Sequence, residues 1–446
     1  MRRSSGTSID TTPRRLSVVL AVLACMTTAT PTLAATISGA DTPDVIRVPQ
    51  DVQTIQGAVD ASRAGTLVLV APGVYHEAVI VMPEHARIVI RGVDRATTIV
   101  DGGFDEEPGH ESGFRVLADG VAIENLTARN FAENGFFWAG VDGYRGSYLT
   151  AIRNGVYGIA ASGSVHGQLD HSYASGSPDA GFFIAACFPC DALITDSEAE
   201  WNGFGFAGTN AGGGLVVARS SWHDNRAGIV PNSRTSEADP PERRTTIVGN
   251  LVVDNNNAGA GAVELAETAI GNGILIAGGS QNEVVRNRVT GHDVSGIAAI
   301  PLPETVLTPG NPEARDFDAR DNTVRDNVTT DNRYDLLSVT NVVDASDAGG
   351  NCFADNVYTT SSPTDVEQVL PCGRPTAGFA ADLTLFVSLL AGDKPAGGDS
   401  ATVELPATQR LRGMRNPKTA RARPASNEPT IAIKVRALDV PQASAR

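Results

Sequence analysis

The chain has 446 residues and a formal net charge of −16, and that charge is uneven. Residues 35–373 hold 20 Arg and no Lys against 44 Asp and Glu, giving −24, whereas residues 374–446 hold 11 Lys and Arg against 6 acids, giving +5. An acidic body excludes nucleic acid as a partner. It also disfavours polyanionic glycans unless Ca²⁺ bridges the charges.

Residues 1–34 read as a secretion signal. Arg2, Arg3, Arg14 and Arg15 precede the apolar run Leu16–Cys25, and Thr32-Leu33-Ala34 offers a small-residue cleavage site before Ala35. The run is too short for a membrane span, so no transmembrane segment is expected and the product is expected to be secreted. A rival reading exists. Val22-Leu23-Ala24-Cys25 resembles a bacterial lipobox, which would anchor the chain through a lipid on Cys25.

Residues 45–62 begin with a short strand. A helical patch follows, with Ile55, Ala58 and Val59 on one face. The end of a stack of coils exposes core and strand edges, so this patch is expected to plug the N-terminal end. Two β runs around Pro72-Gly73 come next, and then ARIVIRGVDRATTIVDGG.

From here a repeat governs the chain. Glycine followed by Phe or Ile recurs at Gly135, Gly158, Gly181, Gly205, Gly228, Gly273 and Gly296, at spacings of 23, 23, 24, 23, 45 and 23. Such periodicity marks a structural repeat. Each unit is too short for a helix pair and carries short β-prone runs bounded by Gly, Asn, Asp and Ser. Three short strands and three turns fill about 23 residues, one coil of a parallel β-helix, with coils about 4.8 Å apart. A β-propeller blade needs about 40 residues and does not fit. Asn130, Asn154, Asn202, Asn225 and Asn255 fall at turns, where stacked Asn side chains can bond along a ladder.

Two stretches break the period, Asn232–Arg244 and Pro301–Phe317, and read as loops inserted on one face. Residues 380–391 could form a cap helix. From Gly392 the chain is Pro-, Ala-, Gly- and Arg-rich, and a flexible basic tail is expected, with Thr430–Val435 adding one strand or nothing. Besides Cys25 the chain has Cys187, Cys190, Cys352 and Cys372. An even number in an exported chain suggests two disulfides. Local pairing, Cys187–Cys190 and Cys352–Cys372, is the simplest of three connectivities. Cys-Phe-Pro-Cys could instead be a redox pair or half a metal site, but no second Cys-x-x-Cys accompanies it.

The opening carries a resemblance. Its order is Ile-x-x-Ala-Val at 55–59, Gly-Thr-Leu-Val-Leu-Val at 65–70, Ala-Pro-Gly-Val-Tyr-His-Glu at 71–77 and Ile-x-Ile-Arg-Gly at 88–92. This resembles the start of right-handed parallel β-helix proteins of the pectin lyase-like superfamily. Gly73-Val74-Tyr75-His76-Glu77 is similar to the Gly-x-Tyr-x-Glu of pectin methylesterases. The resemblance implies an all-β, right-handed parallel β-helix over roughly residues 45–373, with an N-terminal cap helix, export and a glycan ligand. The downstream Gln-Asp motif of the esterases with its Asp-Phe partner is absent. So are the paired-Asp and Arg-x-Lys motifs of polygalacturonases and the Asp-Pro-His-Glu of alginate epimerases, so no catalytic residue carries over.

Three consecutive coils concentrate titratable residues: HSYAS (171–175), DSEAE (196–200) and RSSWH (219–223). Alternation along a strand sends Ser172, Ala174, Ser197, Ala199 and Ser220 inward, with Trp222 an odd member of that set. His171, Tyr173, Asp196, Glu198, Glu200, Arg219, Ser221 and His223 share the other face. Alternate residues are about 6.6–7 Å apart, within the roughly 6.5–9.5 Å separation of acid and base in inverting glycosidases. The candidates for catalysis are therefore Asp196, Glu198, Glu200, His171, His223 and Tyr173. Arg219 and Trp201 would bind substrate, and Phe206 is placed with Trp201 at a coil corner. The sequence names no cofactor, although the carboxylates could hold Ca²⁺. The competing reading is a solvated face without chemistry. The function expected is binding or processing of a polysaccharide or cell-envelope glycan by a monomer, by hydrolysis rather than elimination. The alternative is a non-catalytic envelope or adhesion scaffold.

Overall fold

A computed structural model describes residues 45–105, 107–263, 265–339, 349–374, 382, 384–387, 394–399, 401–406 and 430–443. The signal segment, with Cys25, lies outside the described residues.

The body is a parallel β-helix with three faces, here called A, B and C in the order the chain visits them. Face B is a ten-stranded parallel sheet running from Gly73–Tyr75 to Val328–Thr330. Faces A and C are joined where the strand Phe204–Ala218 runs from one into the other. Among the described strands only Leu302–Pro303 and Asp316–Phe317 pair antiparallel.

The glycine steps stack in register. Phe136 lies beside Ile159, Ile159 beside Phe182, Phe182 beside Phe206, Phe206 beside Ile229, Ile229 beside Ile274, and Ile274 beside Ile297. Close approach explains the glycines themselves. A Cβ on Gly158 would sit 2.6 Å from the carbonyl oxygen of Gly181, and one on Gly205 2.7 Å from that of Gly228. The 45-residue interval is one coil, not two: Ala227 pairs directly with Asn272. It is lengthened by the expected 232–244 insertion and by a second one over 256–270, which holds the short helix Leu265–Thr268.

Both corners of face B turn on a residue in the left-handed region followed by a buried polar one. Between A and B these pairs include His171-Ser172, Asp196-Ser197, Arg219-Ser220 and Arg286-Asn287. The second member accepts the backbone N–H of its counterpart one coil earlier: Ser172 N–H to Ser197 Oγ, Ser197 N–H to Ser220 Oγ, Ser220 N–H to Asn250 Oδ1, and Asn250 N–H to Asn287 Oδ1. The ladder ends on Glu367, which takes the N–H of Asn356. Between B and C the ladder is Asn202, Asn225, Asn255, His292 and Asn332. These bonds satisfy the corner amides that no strand can reach.

The interior is apolar. Trp222 fits there, fully buried and edge-on to Phe182 at 5.6 Å, with Nε1 donating to Asn250 Oδ1. Phe206 is likewise core, not a corner residue. The helix Ile55–Asp60 caps the N-terminal end. Glu77 accepts from the N–H groups of Ile55 and Gln56, and Tyr75 Oη donates to the carbonyl of Ala71. The Gly-x-Tyr-x-Glu stretch is therefore a device for holding the cap. His76 in it is exposed.

The disulfides are Cys187–Cys190 and Cys352–Cys372. Residues 384–387 form a helical turn that buries Leu385 and Phe386; the rest of the expected cap helix lies outside the described residues.

The flexible tail needs correction where it is described. Arg226, fully buried, donates to the carbonyl of Pro395, and Gly398 N–H bonds the carbonyl of Ala260. Ile433, Val435 and Leu438 pack on Ala218, Val248 and Val285 of face A, and Thr430 N–H donates to Gln168 Oε1 at 2.7 Å. Face A leaves an apolar strip that this segment covers. Composition hid it, because TIAIKV adds no strand and contributes only its side chains.

Candidate functional site

The face-B strands of these coils are three residues long, so only their first and third side chains point outward. The register puts Tyr173, Glu198 and Ser221 in one row and Ser175 beside Glu200 in the next. Ala174, Ala199 and Trp222 point inward, as alternation requires.

His171, Asp196 and Arg219 do not belong to these rows. Their φ angles of 48°, 51° and 50° put them at the A/B corner, two residues before each strand, where the two-residue period no longer holds. Arg219 Nη2 pairs with Asp196 Oδ2 at 2.6 Å. His171 stacks on Tyr148 at 4.7 Å, and its Nδ1 lies 2.7 Å from Asp170 Oδ2. That hydrogen bond raises the His171 pKa against the opposing effect of burial. Trp201, at the B/C corner, lies against Gly259 of the 256–270 insertion. It is half-buried there.

The remaining residues converge. Tyr173 Oη donates to Glu200 Oε1 at 2.6 Å, and both side chains are buried. His223 lies between three carboxylates. Its Nε2 is 2.9 Å from Glu198 Oε1, and its Nδ1 is 2.9 Å from Asp224 Oδ2 and 3.8 Å from Glu200 Oε2. Burial opposes the charge on His223. The hydrogen bonds to Asp224 and Glu198, with the charges of Glu198 and Glu200, outweigh it and raise the pKa to about 9. His223 is therefore an imidazolium at neutral pH. Burial raises the pKa of Glu200, against the opposing Tyr173 hydrogen bond and His223 charge, and burial likewise raises that of Tyr173. The side chains of Glu198, His223 and Asp224 keep 19%, 16% and 38% exposure, so they form the part of the cluster that meets solvent.

Sequence reasoning missed Asp224. The signal was present: Asp-Asn recurs at 224–225, 254–255, 326–327, 331–332 and 355–356 as the corner dipeptide, which places an acid just beyond the strand that ends in His223.

Ligand atoms of Glu200, His223 and Asp224 lie within 4.8 Å of one another. This set, with an imidazole among its ligand atoms, does not fit Ca²⁺, which takes oxygen ligands throughout. Both ring nitrogens already face carboxylates, and a proton held to about pH 9 competes with any metal.

Residues 112–302 match the family model described as the right handed beta helix region. This region is a right-handed β-helix. No curated protein matches the chain. Among solved structures, the chain is similar to the A-module of Azotobacter vinelandii mannuronan C-5 epimerase AlgE4, at 14% identity over 73% of this chain and 94% of that one, with a TM-score of 0.49. It is also similar to a DFA-IIIase from Arthrobacter chlorophenolicus A6 solved without its lid, at 10% identity over 73% and 97%, with a TM-score of 0.45. The fold rests on the strand register and the family match, not on these likenesses. Among the described residues no helix is long and apolar enough to cross a membrane.

Proposed function

We propose that the chain is an exported protein that binds and processes a polysaccharide on face B, with Glu198 and His223 as its proton-handling pair. One observation carries this: an imidazolium in contact with three carboxylates, one of them, Glu200, buried and bonded by a buried tyrosine, at the surface of an otherwise regular solenoid. Glu198 and His223 share a proton at 2.9 Å, and both reach solvent. Tyr173 and Glu200 position the ring from behind. Asp196, tied to Arg219, has no part in the chemistry.

We hold the reaction to be hydrolysis. The cluster sets Glu198, Glu200 and Asp224 against one imidazolium, which repels a uronate carboxylate. A panel of neutral and uronic glycans, followed for new reducing ends and for unsaturated uronate, tests this. Strong release of unsaturated uronate from pectate or alginate would overturn it. Glu198→Gln is expected to keep the fold and glycan binding while turnover falls by roughly 10²–10⁴-fold. Asp196→Asn removes a half-exposed ion pair worth about 0–1 kcal/mol and should leave turnover unchanged. Wild-type turnover in Glu198→Gln would sink the assignment.

A second reading has its own support. The cluster is satisfied internally, as a structural network is, and a non-catalytic envelope or adhesion scaffold would look the same. It prevails if every glycan in the panel stays intact while some are bound.

A further inference from the structure

The first coils carry a second feature, on face C and away from the face-B cluster. A cavity of about 200 Å³ opens there, lined by Gly109, Glu111, Ser112, Arg115, Glu133 and Phe137. Two columns from adjacent coils build it. Arg115 and Phe137 are register partners, and each points outward between two buried, inward side chains of its own strand. Glu111 and Glu133 form the second column, just before those strands, where the N–H of Glu133 bonds the carbonyl of Glu111 at 2.8 Å. The loop through Gly109 closes a third side.

The backbone around the cavity is held in place. Ser112 is buried and accepts from Asn134 Nδ2 at 3.1 Å, and Asn134 Oδ1 takes the N–H of Tyr157 at 3.3 Å. Glu111 Oε2 takes the N–H of Gly109 at 2.8 Å, which fixes the loop and leaves Oε1 for a ligand. The charges of the lining do not neutralise one another. Among the described residues, the Arg115 guanidinium and the Glu133 carboxylate make no ion pair and no side-chain hydrogen bond, although they line one cavity together with Glu111.

We infer that this cavity binds one basic amino acid, with its carboxylate on Arg115 and its two cationic groups on Glu111 and Glu133. The charges of the lining set the class. One guanidinium and two carboxylates are complemented by one carboxylate and two cations, which is the charge pattern of lysine or arginine at neutral pH. Each contact is a charge-assisted hydrogen bond, and a guanidinium takes a carboxylate through two parallel ones. The half-buried ring of Phe137 receives the aliphatic stem, and its face also favours a nearby cation. A neutral amino acid leaves one carboxylate uncompensated. An acidic one sets a further anion against Glu111 and Glu133. Size sets the other limit. A closed cavity of about 150 Å³ takes benzene, so an open one of about 200 Å³ has room for one amino acid and not for a longer chain.

This inference does not rest on the proposed function, since it shares no residue with the face-B cluster and needs no glycan. The full chain is titrated calorimetrically with L-lysine, L-arginine, L-leucine, L-glutamate and cadaverine, which keeps the two ammonium groups of lysine without the carboxylate. Lysine or arginine is expected to bind at least about tenfold more tightly than the other three. Arg115→Gln and Glu133→Gln change exposed side chains, so the fold survives both, and each should weaken that binding at least about tenfold. Glu283→Gln, at an exposed carboxylate on face A, should leave it within about twofold. The assignment is overturned if neither basic amino acid binds at millimolar concentration, or if leucine, glutamate or cadaverine binds as tightly. It is equally overturned if Arg115→Gln or Glu133→Gln binds as the wild type does, or if Glu283→Gln weakens binding as much as they do.

Discussion

Replacing Asn225 by Ala should cost about 3–5 kcal/mol of stability, from several buried partners at about 1–3 kcal/mol each. Asn225 is fully buried at the B/C corner. Its Oδ1 accepts the backbone N–H of Asn202 at 3.0 Å and its Nδ2 at 2.9 Å. Its own Nδ2 donates to the carbonyls of Ala199 and His223 and to Asn255 Oδ1. Alanine leaves an amide and two carbonyls without partners, in a corner too tight for water to replace the side chain. Serine is the informative control. At the A/B corner Ser172, Ser197 and Ser220 already do the accepting half of this task. Asn225→Ser should therefore lose only about half as much. Urea midpoints at unchanged slope measure both. Equal losses for the two variants would mean that side-chain volume, not the ladder, sets the cost. Because His223 O is one of the partners, Asn225→Ala also loosens the strand that presents His223.

The same corners mark the limit of what the sequence discloses. Glycine steps were legible because all but Gly181 are forced by the next coil's carbonyl, and a steric demand repeated about every 23 residues leaves a plain trace. The Ser and Ala column facing inward was legible for the same reason. The outward set was read too widely. His171, Asp196 and Arg219 share the spacing of the strand residues, but a left-handed residue resets the alternation, and nothing in the residue types announces it. Tyr173, Glu198, Glu200 and His223 lie inside the three-residue strands and were brought together as expected. Their mutual burial was not legible, because it depends on neighbours from other coils. Glu304 shows the same limit more sharply. It takes the N–H of Thr235, 69 residues away, and a contact of that range has no local signature. The 430–443 segment was misread because its apolar residues have no period of their own; they follow the strip on face A that they cover.

Stability should stay nearly level between about pH 4.5 and 6.5, where two buried groups act in opposite directions, and fall as pH rises above that. The first is His292, the one histidine in the B/C ladder. Its Nε2 is 3.1 Å from Asn255 Nδ2, and its Nδ1 is 2.8 Å from Asn332 Oδ1. That arrangement suits the neutral ring with the proton on Nδ1, since a second proton on Nε2 would face another donor. Burial lowers its pKa to about 4, against the bond it donates to Asn332. Between about pH 6.5 and 4 the unfolded chain therefore binds a proton that the folded one refuses, and stability is lost as pH falls, by up to about 3 kcal/mol. Acting the other way are Glu242 and His223. Burial raises Glu242 to about 8, despite hydrogen bonds from Asn282 and Thr245. His223 is raised to about 9. Here the folded chain holds protons that the unfolded chain releases, from about pH 4.5 upward for Glu242 and about pH 6.5 upward for His223, so stability falls as pH rises. Below pH 6.5 the Glu242 loss offsets the His292 gain, and between pH 6.5 and 9 the fall is on the order of 5 kcal/mol. His292→Asn restores the residue used at neighbouring rungs and should leave the Glu242 loss unopposed, so that stability falls with rising pH from about pH 4.5. Glu242→Gln should uncover the His292 rise below about pH 6.5 and leave only the His223 fall above it. Urea midpoints from pH 4 to 9.5 give the slopes directly. A slope below pH 6.5 unchanged in His292→Asn would show that the ladder histidine does not contribute to it, and one unchanged in Glu242→Gln would show the same of the buried carboxyl.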